Sequence, residues 1–240
     1  MRVLTWNVYF GGHMFEERAE ALVAELLQRR PEVIALQEAT LELMLRLAGL
    51  ASAGYECSDE AGATLAYGYG VVLFARVPVR GFRFFDLPTE MGRSLVTAEL
   101  ASGLTVATVH LESIDISRPA RLAQIAAIQD RLARKDDVVW VGDMNFRPDE
   151  PEQAALDPSW VDVWPALHPD DPGYTVDTDL NAMRFQLKSS PTHKRIDRVF
   201  VRSGRWQART IERVGTTSID GDGTFVSDHF GLEVDLAGPV

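Results

Sequence analysis

The stretch Val138-Val139-Trp140-Val141-Gly142-Asp143-Met144-Asn145 runs from four apolar residues straight into a turn that carries a carboxylate and an amide. A short continuous apolar run bounded by a turn signal reads as a buried strand. Gly-Asp-x-Asn alone is as readily a turn as a site, because Asp and Asn favour turns through their own backbone hydrogen bonds. The arrangement recurs, however. Asn7 closes Val3-Leu4-Thr5-Trp6, Gln37-Glu38 closes Val33-Ile34-Ala35-Leu36, and His110 closes Leu104-Thr105-Val106-Ala107-Thr108-Val109. Asp197 sits at the start of the run Ile196–Val201, and Ser227-Asp228-His229 precedes the last one. Each piece taken singly also fits a solvated strand end or a cap. Together they describe a rigid sheet that presents functional side chains on its loops.

Outward from these strands, Ala19, Leu22, Val23, Leu26 and Leu27 follow helical spacing and predict a helix over Glu16–Arg29, stopped by Pro31. Thr40 is the expected N-cap of a helix reaching about Leu50. Pro119 opens a second long helix through Leu122, Ile125, Ile128 and Leu132. Further strands are predicted at Gly70–Ala75, Val79–Phe85, Ser94–Leu100, Arg209–Val214 and Phe230–Leu236, with a hairpin at Ala101-Ser102-Gly103. The segment from Phe146 to Lys194 reads as long loops with short elements. Strands come in runs rather than in strict βαβ alternation. That predicts a largely antiparallel α+β sandwich, with sheets inside and helices outside. No repeat or linker divides the chain, so residues 1–240 are expected to form a single catalytic domain.

Composition narrows the function. The 240 residues hold 24 Lys+Arg against 35 Asp+Glu, a net charge of −11, with 46% hydrophobic and 25% charged residues. These are globular values and exclude disorder or a fibrous repeat. The lone Cys57 excludes an internal disulfide framework, and no CxxC pair offers a zinc site. No apolar run reaches the ~18–20 residues of a membrane span, and the first residues lack the apolar core of a signal peptide. A cytoplasmic protein, acting as a monomer, is the expectation. The acidic balance disfavours bulk affinity for nucleic acid. It leaves room for a small phosphate site that carries its own metal charge.

Thr5-Trp6-Asn7, Leu36-Gln37-Glu38, His110-Leu111-Glu112-Ser113, Gly142-Asp143-Met144-Asn145, Arg195-Ile196-Asp197-Arg198 and Ser227-Asp228-His229 resemble the ordered motifs of the endonuclease/exonuclease/phosphatase superfamily. Asn145-Phe146-Arg147 and Tyr174-Thr175-Val176-Asp177-Thr178 with Asn181 are similar to its tyrosyl-DNA phosphodiesterase type 2 branch. The resemblance implies an α/β (α+β) four-layer sandwich of two packed, mostly antiparallel sheets flanked by helices. It also implies a phosphodiesterase of the DNA-repair nuclease kind, dependent on Mg²⁺ or Mn²⁺, acting on a phosphoester at a nucleic-acid end. It implies Glu38 as direct metal ligand, with Asn7 and Asp228 acting largely through metal-bound water. Such oxygen donors suit a hard divalent cation.

In the same reading Asp143 orients or deprotonates the attacking water and Asn145 holds it. Asp197 fixes His229, which donates to the developing charge, and His110 with Ser113 completes the phosphate cradle. Substrate contacts are implied at Ser113, Arg147, Val176 and Ile196. At the last two the type 2 enzymes carry tryptophan and phenylalanine, which form a wall for the terminal nucleotide. Arg118 and Arg121 read as a charged helix face, or as phosphate contacts. Lys188, Lys194, Arg195 and Arg198 form a basic concentration able to steer an anion, and His13, His168 and His193 read as surface residues. Two other readings stand: hydrolysis of a non-nucleic phosphoester such as an inositol phosphate, phospholipid or small nucleotide, and a catalytically inactive interaction module. The complete polar set argues against the latter.

Overall fold

The apolar runs at either side of the first helix become β1 (Arg2–Asn7) and β2 (Val33–Ala39), which lie parallel with Asn7 opposite Gln37. Parallel neighbours need a crossover, and α1 (Phe15–Arg29) supplies it. This helix stops where expected: Arg30 turns left-handed, its N–H donates to Leu26 O, and Pro31 cannot continue the turn. The computed structural model describes every residue except Glu60, Ala61, Ala63, Thr64, Ala66, Tyr67 and Val240.

With β3 (Glu56–Cys57), β4 (Gly70–Ala75), β13 (Gln207–Val214) and β14 (Gly231–Ala237), the first two strands build a sheet ordered β13-β14-β1-β2-β4-β3. The second sheet runs β5 (Val79–Asp86), β6 (Ser94–Leu100), β7 (Thr105–His110), β8 (Val138–Asp143), β12 (Asp197–Arg202), β9 (Val161–Asp162). Only β1–β2 and β7–β8 pair in parallel among the described strands. The expected mixed, mostly antiparallel sandwich is what forms.

Alternation along each strand sends successive side chains to opposite faces. Val3, Val33, Ala35 and Leu73 of the first sheet therefore meet Val96, Val106, Val139, Val141 and Val199 of the second in the central layer. Leu4, Trp6, Ile34 and Leu36 point the other way, against Leu22 and Leu26 of α1 and Leu43 and Leu47 of α2 (Leu41–Leu47). On the far side Ile125, Ile128 and Leu132 of α4 (Arg118–Leu132) cover Ala107, Val109, Trp140 and Phe200. The central strands are thus covered on both faces, which is why they read as unbroken apolar runs, whereas the outer β5 and β13 stay largely exposed. Each fully buried aliphatic side chain contributes about 1.5–3 kcal/mol.

Three local readings change. Thr40 does cap α2, its hydroxyl accepting from Leu43 N at 3.2 Å, but the helix ends at Leu47 and a separate turn, α3 (Gly49–Ser52), follows; Gly49 at the junction is a weak helix former. Arg121 does not belong to a solvated face: it is 1% exposed, its Nε and Nη2 lie 2.8 and 2.7 Å from Glu152, and Nη1 donates to Ile114 O. Of the basic concentration, Lys188 is exposed and Lys194 partly so, but the two arginines are internal. Arg195 and Arg198 both close on Asp162, and Arg198 lies over the rings of Phe146 and Phe200.

The loop-rich segment holds α5 (Val163–Leu167), α6 (Ala182–Lys188) and a two-stranded ribbon of β10 (Val176–Asp177) and β11 (His193–Lys194). Of the histidines read as surface residues, His168 is only partly exposed, with its Nε2 2.9 Å from Ile211 O.

Candidate active site

Register alone brings three of the strand-end residues together. His110 on β7 pairs with Asp143 on β8, and Asp143 pairs with Asp197 on β12. The close approach depends on Gly142, whose φ is +136°; a Cβ there would stand 2.0 Å from Val109 O. Across the sandwich, Asn7 and Glu38 leave the ends of β1 and β2. Glu38, Tyr9 and Asn145 all adopt positive φ (61°, 56° and 52°), uncommon for residues with side chains and concentrated at this edge.

Asn7 joins the two sheets. Its Nδ2 donates to Glu38 Oε1 at 3.1 Å and to Asp143 Oδ2 at 2.9 Å, while its Oδ1 accepts from Tyr9 N at 3.1 Å, which fixes the amide's orientation. Phe10 N donates to the other Glu38 oxygen at 2.9 Å. Ser227 Oγ donates to Asn7 O at 2.5 Å, seating Asp228 and His229 beside the same strand end. Asn145 N donates to Asp143 Oδ1 at 2.9 Å, and its Nδ2 reaches Leu111 O at 3.0 Å and Ser113 Oγ at 3.4 Å.

The electrostatics separate two histidines. Burial, with Arg93 and His229 nearby, pushes His110 well below its ordinary pKa, so it is neutral. Arg93 Nη1 lies 3.0 Å from its Nδ1 and can only donate, which leaves the proton on Nε2, 3.5 Å from Asp143 Oδ2. His229 goes the other way. Burial would lower it, but the charge and hydrogen bond of Asp197 (2.8 Å), with Asp228 and Asp143, push it up to about 10. Burial and the Asp197 charge raise Asp143 to about 6.

Ligand atoms of Asp143, Asp197 and His229 lie within 4.8 Å of one another, a grouping that could hold a cation. His229 Nδ1 already faces Asp197, and a cationic imidazole is no ligand.

Several site neighbours carry no sequence signal. Arg93, 5% exposed, also donates to Ser113 Oγ at 3.0 Å and lies over the ring of Tyr69. Tyr69 in turn stacks on Phe10, centroids 4.5 Å apart and planes at 5°. Arg18 pins the loop after β1, donating to Val8 O, Gly11 O, His13 O and Val226 O. Arg184 of α6 donates to Asp228 Oδ2 at 2.6 Å.

Of the expected substrate contacts, Ser113 is at the site. Arg147 is drawn to Asp149, 3.0 Å away. Val176 and Ile196 are 1% and 9% exposed: Val176 lies in the ribbon, paired with Lys194, and Ile196 immediately precedes β12. Phe10, half exposed, offers an open aromatic surface beside Glu38.

A family model described as Endonuclease/Exonuclease/phosphatase family matches residues 4–229. The chain belongs to that family. No curated protein sequence matches it. Among solved structures, this family member resembles humanized D. rerio TDP2 carrying 14 mutations, with 25% identity over 99% of this chain and 98% of that one, TM-score 0.84. It also resembles D. rerio TDP2 complexed with single strand DNA product (24%, 99% and 98%, TM-score 0.86). The human Nocturnin catalytic domain with bound sulfate anion follows the same fold (19%, 100% and 93%, TM-score 0.70).

The divalent metal implied by the family resemblance fits these residues. Two carboxylates, Glu38 and Asp143, converge on the single Asn7 nitrogen, so the site concentrates negative charge where a small cation would be stabilised, and its donors are oxygens rather than sulfur.

Proposed function

We propose that the chain is a divalent-metal-dependent phosphodiesterase, a single catalytic domain that hydrolyses a phosphoester at a nucleic-acid end by in-line attack of water. The observation that carries this reading is the meeting of the Asn7–Glu38–Asp143 cluster with the Asp197–His229 pair, His229 Nδ1 lying 4.0 Å from Asp143 Oδ2. Glu38, with Asn7 and Asp228 beside it, would hold Mg²⁺ or Mn²⁺, which when bound would stabilise charge on the phosphoryl oxygens.

The side chains supply the rest. Asp143, with its pKa raised to about 6, is ionised yet basic enough near neutral pH to orient water and accept its proton. Asn145 holds the water and one phosphoryl oxygen. His229 keeps its second proton for the developing negative charge, and Asp197 holds the ring in place. His110 Nε2–H and Ser113 complete the cradle. Arg93, backed against Tyr69, stands ready for an aryl or nucleoside leaving group.

A second reading keeps the chemistry and changes the substrate to a small non-nucleic phosphoester. The aliphatic Val176 and Ile196 and the net charge of −11 favour it. The stacked Phe10–Tyr69 pair favours the first, since exposed aromatics suit base stacking.

The test is Mg²⁺-dependent release of p-nitrophenol from thymidine 5′-p-nitrophenyl phosphate, followed by a panel of 5′-adducted DNA, RNA, inositol phosphates and phosphodiester lipids. Turnover of the chromogenic ester that EDTA abolishes is expected. Undiminished turnover in EDTA would overturn the metal assignment, and preference for a non-nucleic ester would put the second reading first.

A further inference from the structure

Asp228 is not an open ligand. Arg184 Nη1 donates to its Oδ2 at 2.6 Å, with side-chain exposures of only 17% and 5%. The arginine is placed there by the fold. Met183 beside it is fully buried against Phe225 and Phe230. Asn181 caps α6, accepting from Arg184 N at 3.0 Å, and its Nδ2 donates to Ser227 O at 2.9 Å. One short helix is therefore tied to two consecutive residues, Ser227 and Asp228, of the strand-end motif. Tyr9, the residue whose N–H fixes Asn7, packs on the same apolar cluster. The guanidinium has a further donor to give, because its buried Nε has no hydrogen-bond partner among the described residues.

We infer that Arg184 is a positioning residue that serves as a built-in counter-cation for Asp228, so that a divalent ion entering beside Glu38 does so in competition with it. The inference rests on the metal reading above. A carboxylate in contact with a guanidinium offers less negative potential to a second cation, and like charges repel strongly in a partly buried site. Arg184 thereby keeps Asp228 oriented and charge-balanced without metal, and weakens metal binding when metal arrives.

Mn²⁺ binding to the full chain, measured by titration calorimetry, tests this with Arg184→Gln, Arg184→Lys, Glu38→Ala and, as an exposed charge control, Arg134→Gln. Arg184→Gln is expected to bind Mn²⁺ at least fivefold tighter than wild type. Arg184→Lys and Arg134→Gln should stay within about twofold, which is under half a kcal/mol. Melting supplies a second readout. Arg184→Gln should melt below wild type in EDTA, where Asp228 loses its partner, and regain wild-type Tm at saturating Mn²⁺, because tighter binding to the folded state returns the loss.

Unchanged or weaker Mn²⁺ affinity in Arg184→Gln would overturn the inference, as would a Tm deficit that persists with Mn²⁺; both leave the metal reading standing if Glu38→Ala abolishes binding. Absence of Mn²⁺ binding by wild type would overturn both.

Discussion

Asp197 Oδ2 accepts from His229 Nδ1 at 2.8 Å, and neither side chain is more than 9% exposed. A histidine this buried would ordinarily shed its proton. The three carboxylates around it reverse that outcome and fix which nitrogen faces the protein.

This pair makes metal-free stability depend on alkaline pH. His229 titrates at about 10 in the folded chain, against an ordinary value of 6.5. A group that holds its proton more tightly when folded adds stability that is complete below the unfolded pKa and lost as pH rises through the folded one. In EDTA, urea unfolding should therefore show a stability loss of more than about 1 kcal/mol between pH 6.5 and 9.5. His229→Gln should flatten that slope; an equal slope in the variant would assign it elsewhere.

Asp197 and His229 should also fail together. In Mg²⁺-dependent turnover, Asp197→Asn and His229→Gln are expected to give strongly non-additive losses, since residues acting as one unit cannot be removed twice. Log-rate losses that simply sum would show independent roles.

Glu38→Gln keeps the shape of the side chain and removes its charge. Turnover in Mg²⁺ should fall by about 10²–10³-fold, the scale of one lost charge-stabilising group. Thermal stability in EDTA should change by no more than about 1 kcal/mol, because relief of the charge that Glu38 shares with Asp143 around Asn7 offsets the loss of one of the two hydrogen bonds that Glu38 accepts, from Asn7 Nδ2 and Phe10 N. Wild-type turnover by this variant would remove Glu38 from the metal assignment.

Gly142→Ala puts a Cβ against Val109 O. Because the obstacle is backbone, the two strands must separate, with an expected loss of about 1–3 kcal/mol. Displacing β7 from β8 moves His110 and Asp143 out of register, so activity should fall further than stability does. A variant with normal kcat at a temperature where it is fully folded would show that the register is not critical.

Arg93 and Arg147 should separate in kinetics. Arg93→Gln removes the donor shared by His110 and Ser113 and should lower kcat/KM by about tenfold or more, equivalent to 1.4 kcal/mol. Arg147→Gln, whose guanidinium rests on Asp149, should change it by less than about threefold. The reverse order would make Arg147 the substrate contact.

Much of the sandwich was legible because its central strands are covered on both faces, so β1, β2, β7 and β8 announce themselves as apolar runs. The site residues that end those runs were legible for the same reason: polarity at the close of a buried strand stands out. Arg93, Tyr69 and Arg184 were not, because each lies in a turn, loop or short helix and reaches the site through a contact with no local periodicity. Arg121 misled for a related reason. A helix face shows its own charges, but the Glu152 that buries Arg121 is 31 positions further along.

β1 lies against β14, with Thr5 opposite Leu232, and the ammonium of Met1 donates to Leu236 O. Paired with β2 on one side, the first strand lacks its other neighbour until β14 is made. Asn7 emerges from the ribosome more than two hundred residues before Ser227, the hydroxyl that seats it. Contacts of such sequence separation form late and slowly. A nascent chain of this protein cannot bring Asn7 together with Ser227, Asp228 and His229 until those residues have been made, so synthesis itself keeps the candidate site from existing on a shorter polypeptide.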